Sequence, residues 1–262
     1  VDLTRLRFQI DELFSFLNAP EAFHRHLTDL FSLYENRALR FGESNQPRSL
    51  IPQYHLPDPV TRQIKLDLAK FIEKDTQNAL ALADELWKDT YFEVRQLAIF
   101  ILDLVAKNDP EPVTSRIKRW LSPDLVPILA TELLSAGIHN LQSEYPQAWE
   151  SLVETLLEHE NPKMVSIGLE GLTKGVEQQS MVNLPAIFRF ISPILQKPNE
   201  AYIHQLGDLV LALVKRSPTE TAFFLRQTLS ISDSEDIVRL VKQVLPQFPG
   251  EIQKEVRLLI KQ

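Results

Sequence analysis

At Asp58-Pro59, Asp109-Pro110, Ser122-Pro123, Asn161-Pro162 and Ser217-Pro218 a small polar side chain stands directly before a proline. An Asp, Ser or Asn oxygen accepts an orphan backbone N–H at a helix start. Proline in the first helical turn sacrifices nothing there, because its N–H would be unpaired anyway. Glu220, three residues after Ser217, completes the spacing of a capping box. Around these signals the apolar residues recur at three- and four-residue steps, first Leu3, Leu6, Ile10, Leu13, Phe14 and Leu17, then Phe23, Leu27, Leu30, Phe31 and Tyr34. Glycine is the complement of this pattern. The 262 residues hold 7 glycines against 17 prolines, so hairpin turns and phosphate-cradling loops, which use glycine at positive φ, are scarce.

The chain therefore reads as all-α. Helix starts are expected near residues 58, 76, 91, 110, 123, 146, 162, 184, 199, 218, 234 and 250. Taken in pairs, the units begin near 58, 91, 123, 162, 199 and 234, in steps of 33, 32, 39, 37 and 35 residues. That period fits helical-hairpin repeats, each burying its apolar face against its neighbours. The tetratricopeptide fingerprint and the ankyrin Thr-Pro-Leu-His are absent, and the uneven period suits a HEAT-like curved solenoid. An irregular helical bundle is the alternative. The expected organisation is an N-terminal helical pair over residues 1–41, a polar, proline-broken loop over 42–57, and about six helical hairpins over 58–262, in one continuous domain.

Composition excludes several chemistries. No cysteine is present, which removes thiol catalysis, disulfides, zinc ribbons and iron–sulfur ligation and agrees with a reducing, cytoplasmic setting. No apolar run approaches a membrane span and no charged-then-apolar signal pattern opens the chain. Neither a GxGxxG nor a GxxxxGK[ST] phosphate loop occurs, nor a GxSxG elbow or an HExxH motif. Gly168, Gly171 and Gly175 share one expected helix. They read as a nucleic-acid clamp or as close helix packing, and packing is favoured. His24 and His26 stand two apart, on different sides of a helix, and His159 between Glu158 and Glu160 is expected to end a solvated helix. No cofactor and no metal site is expected.

The net charge of −7 is unevenly spread: −2 over residues 1–119, −7 over 120–214 and +2 over 215–262. Phosphate binding requires clustered cations. The best cluster is Arg116, Lys118 and Arg119 beside Trp120. A second is Lys215 with Arg216, followed by Arg239, Lys242, Lys254, Arg257 and Lys261.

The run Pro59-Val60-Thr61-Arg62-Gln63-Ile64, then Leu86-Trp87, then Glu93-Val94-Arg95-Gln96-Leu97-Ala98-Ile99 resembles the AlkD-like DNA alkylation repair proteins. There Pro-x-x-Arg-Gln, Leu-Trp and a Glu-x-x-x-x-Ala-type helix follow in the same order. The resemblance runs from about residue 50 to the C-terminus and implies a HEAT-like solenoid, right-handed in that family, with a concave basic face for duplex DNA and alkylpurine glycosylase activity. It implies an aromatic-rich segment ending in a catalytic aspartate. The matching stretch here places Pro127 at the aspartate and Ser122-Pro123 at its paired tryptophans, while the family's arginine falls near Ser166 and its later tryptophan near Leu209. Without those aromatic faces nothing stacks on a cationic base, and without the carboxylate nothing stabilises a developing sugar cation. Asp124 is the nearest acid, and it is better explained as an acid in a first helical turn.

Two functions are thus expected from this scaffold. The first is a non-catalytic binding or adaptor protein whose concave face holds a macromolecule, either protein or duplex DNA. The second is a DNA-binding repair protein or glycosylase with a relocated site, drawing on Trp87, Arg95, Arg116, Lys118, Arg119, Trp120, Lys215 and Arg216, with Asp124 as the catalytic carboxylate only if it is a glycosylase. A small-molecule hydrolase ranks third, for want of a nucleophile–base pair.

Overall fold

A computed structural model describes residues 2–36, 51–178, 183–231 and 234–259. The regular elements among them are all helical: α1 (Leu3–Phe14), α2 (Pro20–Tyr34), α3 (Asp58–Lys74), α4 (Thr76–Trp87), α5 (Phe92–Val105), α6 (Glu111–Trp120), α7 (Pro127–Ser135), α8 (His139–Glu144), α9 (Pro146–Leu157), α10 (Pro162–Glu177), α11 (Leu184–Gln196), α12 (Ile203–Arg216), α13 (Pro218–Ile231), α14 (Glu235–Val244) and α15 (Gly250–Leu259), with short 3-10 turns at Ala136–Ile138 and Leu245–Gln247. Most of the expected loop over 42–57, and Lys261, lie outside the described residues.

Most expected helix starts hold to within a residue, and the local reasons are visible. The Asp109 carboxylate accepts from Glu111 N–H at 3.0 Å, and the Asn161 side chain accepts from Lys163 N–H at 3.0 Å. Pro162 and Pro218 each open their helix. Asp58 departs from the reading: the helix begins one residue earlier than the cap required, so Asp58 is its first residue and Pro57 stands before it without a side-chain cap. The Ser217–Glu220 pair meets side chain to side chain, the hydroxyl donating to the carboxylate at 2.9 Å. Two starts are later than expected. Ser122–Leu125 forms a turn closed by Leu125 N–H to the Ser122 carbonyl, and α7 waits until Pro127. Asn199 likewise caps a turn, accepting from Ala201 N–H at 2.9 Å, and α12 begins at Ile203.

The helices gather into two compact units, Val1–Ile117 with Ala136–Glu144, and Lys118–Ser135 with Tyr145–Gln262. In the first unit α1 packs on α3 and α3 on α5, while α2 packs on α4; α8 and the Ala136–Ile138 turn lie against α5. In the second, α9, α11, α13 and α15 form one row of neighbours and α10, α12 and α14 a second, with α7 against α10. Several helices thus touch both a chain neighbour and the helix two along, as α3 meets α1, α4 and α5, and α13 meets α11, α12, α14 and α15.

The cores follow from the apolar stripes. Leu6, Ile10 and Phe23 in the first unit and Leu206, Leu213 and Leu225 in the second are almost wholly buried, each contributing about 1.5–3 kcal/mol of transfer free energy. Gly168 and Gly171 of α10 are packing residues. A Cβ on Gly171 would stand 2.7 Å from the Leu134 Cβ, and one on Gly168 3.2 Å from Leu157 Cδ2, so neighbouring helices approach where those side chains are missing.

Candidate functional site

Two of the expected site residues, Trp87 and Arg95, meet in the first unit, around the end of α4 and the turn into α5. Asp89 organises that turn. One of its carboxylate oxygens accepts from Tyr91 N–H at 2.6 Å, the other lies 2.5 Å from His24 Nε2 on α2, and its backbone carbonyl accepts from Arg95 Nε. Glu85 flanks the same imidazole, its carboxylate 3.6 Å from His24 Nδ1. The Arg95 guanidinium, so held, lies over the Trp87 ring at 5.2 Å. Burial pulls the Arg95 pKa below its usual value, while the Asp89 charge pulls the other way. Trp87 and Arg95 are therefore each other's partners.

Arg116 is committed in the same manner. Its Nε and one terminal nitrogen donate to Asp84 Oδ2 on α4 at 3.1 and 2.8 Å, and the other terminal nitrogen donates to the Pro112 carbonyl at 3.0 Å. With 17% of its side chain exposed, this guanidinium ties α6 to α4.

Beneath the α4–α5 turn, segment 51–57 crosses the start of α5. Phe92 N–H donates to the Pro52 carbonyl at 3.0 Å, and His55, in the left-handed region at φ 53°, donates its N–H to Glu93 Oε1 at 2.7 Å. Tyr54 stacks on Tyr91 with ring centres 4.1 Å apart and meets Phe31 edge-on. Burial, with Asp89 and Tyr91 adding to it, pushes the Tyr54 phenol up to about 12. Nothing in the local sequence signalled this cluster, because its members come from α2, α4, α5 and the preceding segment.

The remaining candidates belong to the second unit. Lys118 and Arg119 are exposed at the end of α6, but Trp120 beside them is only 6% exposed and sits in the core. Lys215 and Arg216 are exposed in the last turn of α12, where cations complement the helix dipole. Asp124 is not in a first helical turn. It projects from the Ser122–Leu125 turn, 94% exposed, with Lys163 Nζ 3.9 Å away as a surface partner. A carboxylate in that setting is fully hydrated, the reverse of the shielded position that gives an acid catalytic leverage. Leu209, near which the resemblance would put a tryptophan, is completely buried, and Pro127 opens α7.

One carboxyl group stands above its usual range. Burial raises Asp103 on α5, although Asn140, His139 and Lys107 pull it down. Its oxygens are occupied: Oδ1 accepts from Asn140 N–H and Oδ2 from Asn140 Nδ2. It anchors α8 rather than facing a cleft. Among the described residues no group of three or more His, Cys, Asp and Glu side chains is placed to hold a metal ion, and no helix is long and apolar enough to cross a membrane.

Against this geometry, a family model described as DNA alkylation repair enzyme matches residues 50–228. No curated protein matches the chain.

Proposed function

The chain belongs to the DNA alkylation repair enzyme family, and from that premise we propose that it is a non-catalytic member, a HEAT-like repeat protein that binds a macromolecule in the concave face of a curved solenoid. The observation that carries this reading is the state of its aromatic and acidic side chains. Trp149 and Trp120 are buried and Trp87 is covered by Arg95, while Asp124 stands in solvent. A glycosylase of this family would need aromatic faces open to an electron-poor base and a shielded carboxylate beside its sugar. The stacking of alternate helices within each unit supports the repeat reading. The organisation we propose is an N-terminal pair ahead of the hairpins, in a cytoplasmic protein without cofactor.

A second reading, a DNA-binding repair protein with a relocated site, is favoured by the exposed Lys118, Arg119, Lys215 and Arg216. The deciding experiment is a mobility shift on plain and alkylated duplexes at low salt, together with an assay for released 3- or 7-methylpurine. The non-catalytic reading expects no base release from either duplex. Release that disappears in Asp124→Asn would overturn it in favour of the glycosylase. Duplex binding without release would identify DNA as the macromolecule held. In that case Lys118→Ala should lower the slope of log affinity against log salt by about 1.

A further inference from the structure

The last helical pair of the second unit carries an apolar groove of about 480 Å³ between α13 and α15, lined among others by Phe223, Ile252, Val256 and Leu258. Phe223 is 61% and Leu258 65% exposed, although α13 and α15 pack on one another and could have turned both inward. Large apolar side chains clustered in one open groove mark an interaction surface, in contrast to single exposed residues elsewhere. The groove also carries one cation and one anion, Arg226 from α13 and Glu255 from α15. Both are exposed, and neither makes an ion pair with any described residue.

An apolar patch bearing one unpaired charge of each sign can complement itself under a two-fold rotation. Such a contact is isologous: when Arg226 meets the partner's Glu255, the partner's Arg226 meets Glu255 in return. A nucleic acid would be served by the arginine alone and opposed by the glutamate. A second copy of this chain uses both charges and the apolar floor. We propose that the α13–α15 groove is the seat of a two-fold homodimer, with Phe223 and Leu258 at its centre and two Arg226–Glu255 pairs at its edges. This inference is independent of whether the protein is catalytic, because none of the candidate site residues lines the groove.

The test is sedimentation equilibrium on the full chain over a range of concentrations, with helical circular dichroism as a check on folding. Wild type is expected to dimerise. Arg226→Glu and Glu255→Arg should each weaken the dimer more than about tenfold, since each places like charges opposite one another. An equimolar mixture of the two variants should recover dimer, because the mixed pair sets the two substituted side chains, of opposite sign, against each other at one edge and keeps the native Arg226–Glu255 pair at the other. Phe223→Ser should weaken self-association in every combination. A wild-type chain that remains monomeric throughout, or a dimer indifferent to these substitutions, would overturn the proposal. So would a mixture that associates no better than its components.

Discussion

Asn140 grips Asp103 at three points: its backbone N–H donates to Oδ1 at 2.8 Å, its Nδ2 to Oδ2 at 2.7 Å, and the same Nδ2 to the Asp103 carbonyl at 3.1 Å. Thirty-seven residues separate the two. The contact joins segment Ala136–Glu144 to α5, so the chain, having entered the second unit at Lys118, returns to the first for these nine residues. A half-buried carboxylate is offset by donors at both oxygens, and the first turn of α8 gains an acidic cap.

Removing the donor side chain should be costly. Asn140→Ala leaves Asp103 Oδ2 without its partner in a half-buried setting, and a loss of about 1–3 kcal/mol is expected. Urea unfolding of the variant beside wild type measures it, and a change under a few tenths would show the contact to be incidental.

The same pair gives a pH dependence. Burial raises the Asp103 pKa above its ordinary 3.8. A carboxyl group raised in the folded state contributes stability that is fully present below its unfolded value and is lost as pH climbs through the folded one. Wild type should therefore gain on Asp103→Asn as pH falls from neutral into the mildly acidic range. The observable is the difference in unfolding free energy between the two proteins at several pH values. A difference that stays constant, or moves the other way, contradicts the assignment.

Tyr54 gives a second titration at the alkaline end. The sequence holds five tyrosines, and this one, 5% exposed, has its phenol pushed up to about 12. Its contribution to stability is complete below its ordinary value of 10.0 and is lost as pH rises through about 12. Ultraviolet titration of the folded protein should show one phenol ionising last, and Tyr54→Phe should abolish that step.

Two glycines should respond oppositely to the same change. Gly171→Ala drives a methyl group to within 2.7 Å of the Leu134 Cβ, and a net destabilisation of about 1–3 kcal/mol is expected. Gly207 lies inside α12 with no atom within 4 Å of where its Cβ would be. There Gly207→Ala should stabilise by about 0.5–1 kcal/mol, since it removes unfolded-state entropy and raises helix propensity. Thermal melts of the two variants provide the comparison, and equal shifts would refute the packing account of α10.

The legible part of this chain is what acts within one helical turn. An asparagine oxygen and the proline that follows it are enough to start α10 at Pro162, and the spacing of its apolar residues is enough to say which face it buries. The same reasoning failed at Ser122-Pro123, because Pro127 offers an equally good first position four residues on. The apolar side chains of α7, Leu129, Ala130, Leu133 and Leu134, fit the later start. It missed α8 altogether, because six residues carry too little periodicity to stand out and their order depends on Asp103.

The candidate site divides along the same line. From sequence alone come the all-helical class and the absence of cysteine and of a phosphate-loop motif. Each depends only on residue identity or on neighbours within a turn. Whether a charge or a ring is available to a partner depends on what lies across space, and tertiary structure alone decided it. Arg116 reads as a phosphate ligand until Asp84, 32 residues away, is found holding it. Trp120 reads as a stacking platform until it is found in the core, and Arg226 and Glu255 gain significance only because α13 and α15 place them in one groove. Pairing and desolvation are set by distance in the folded molecule, and separation along the chain does not report it.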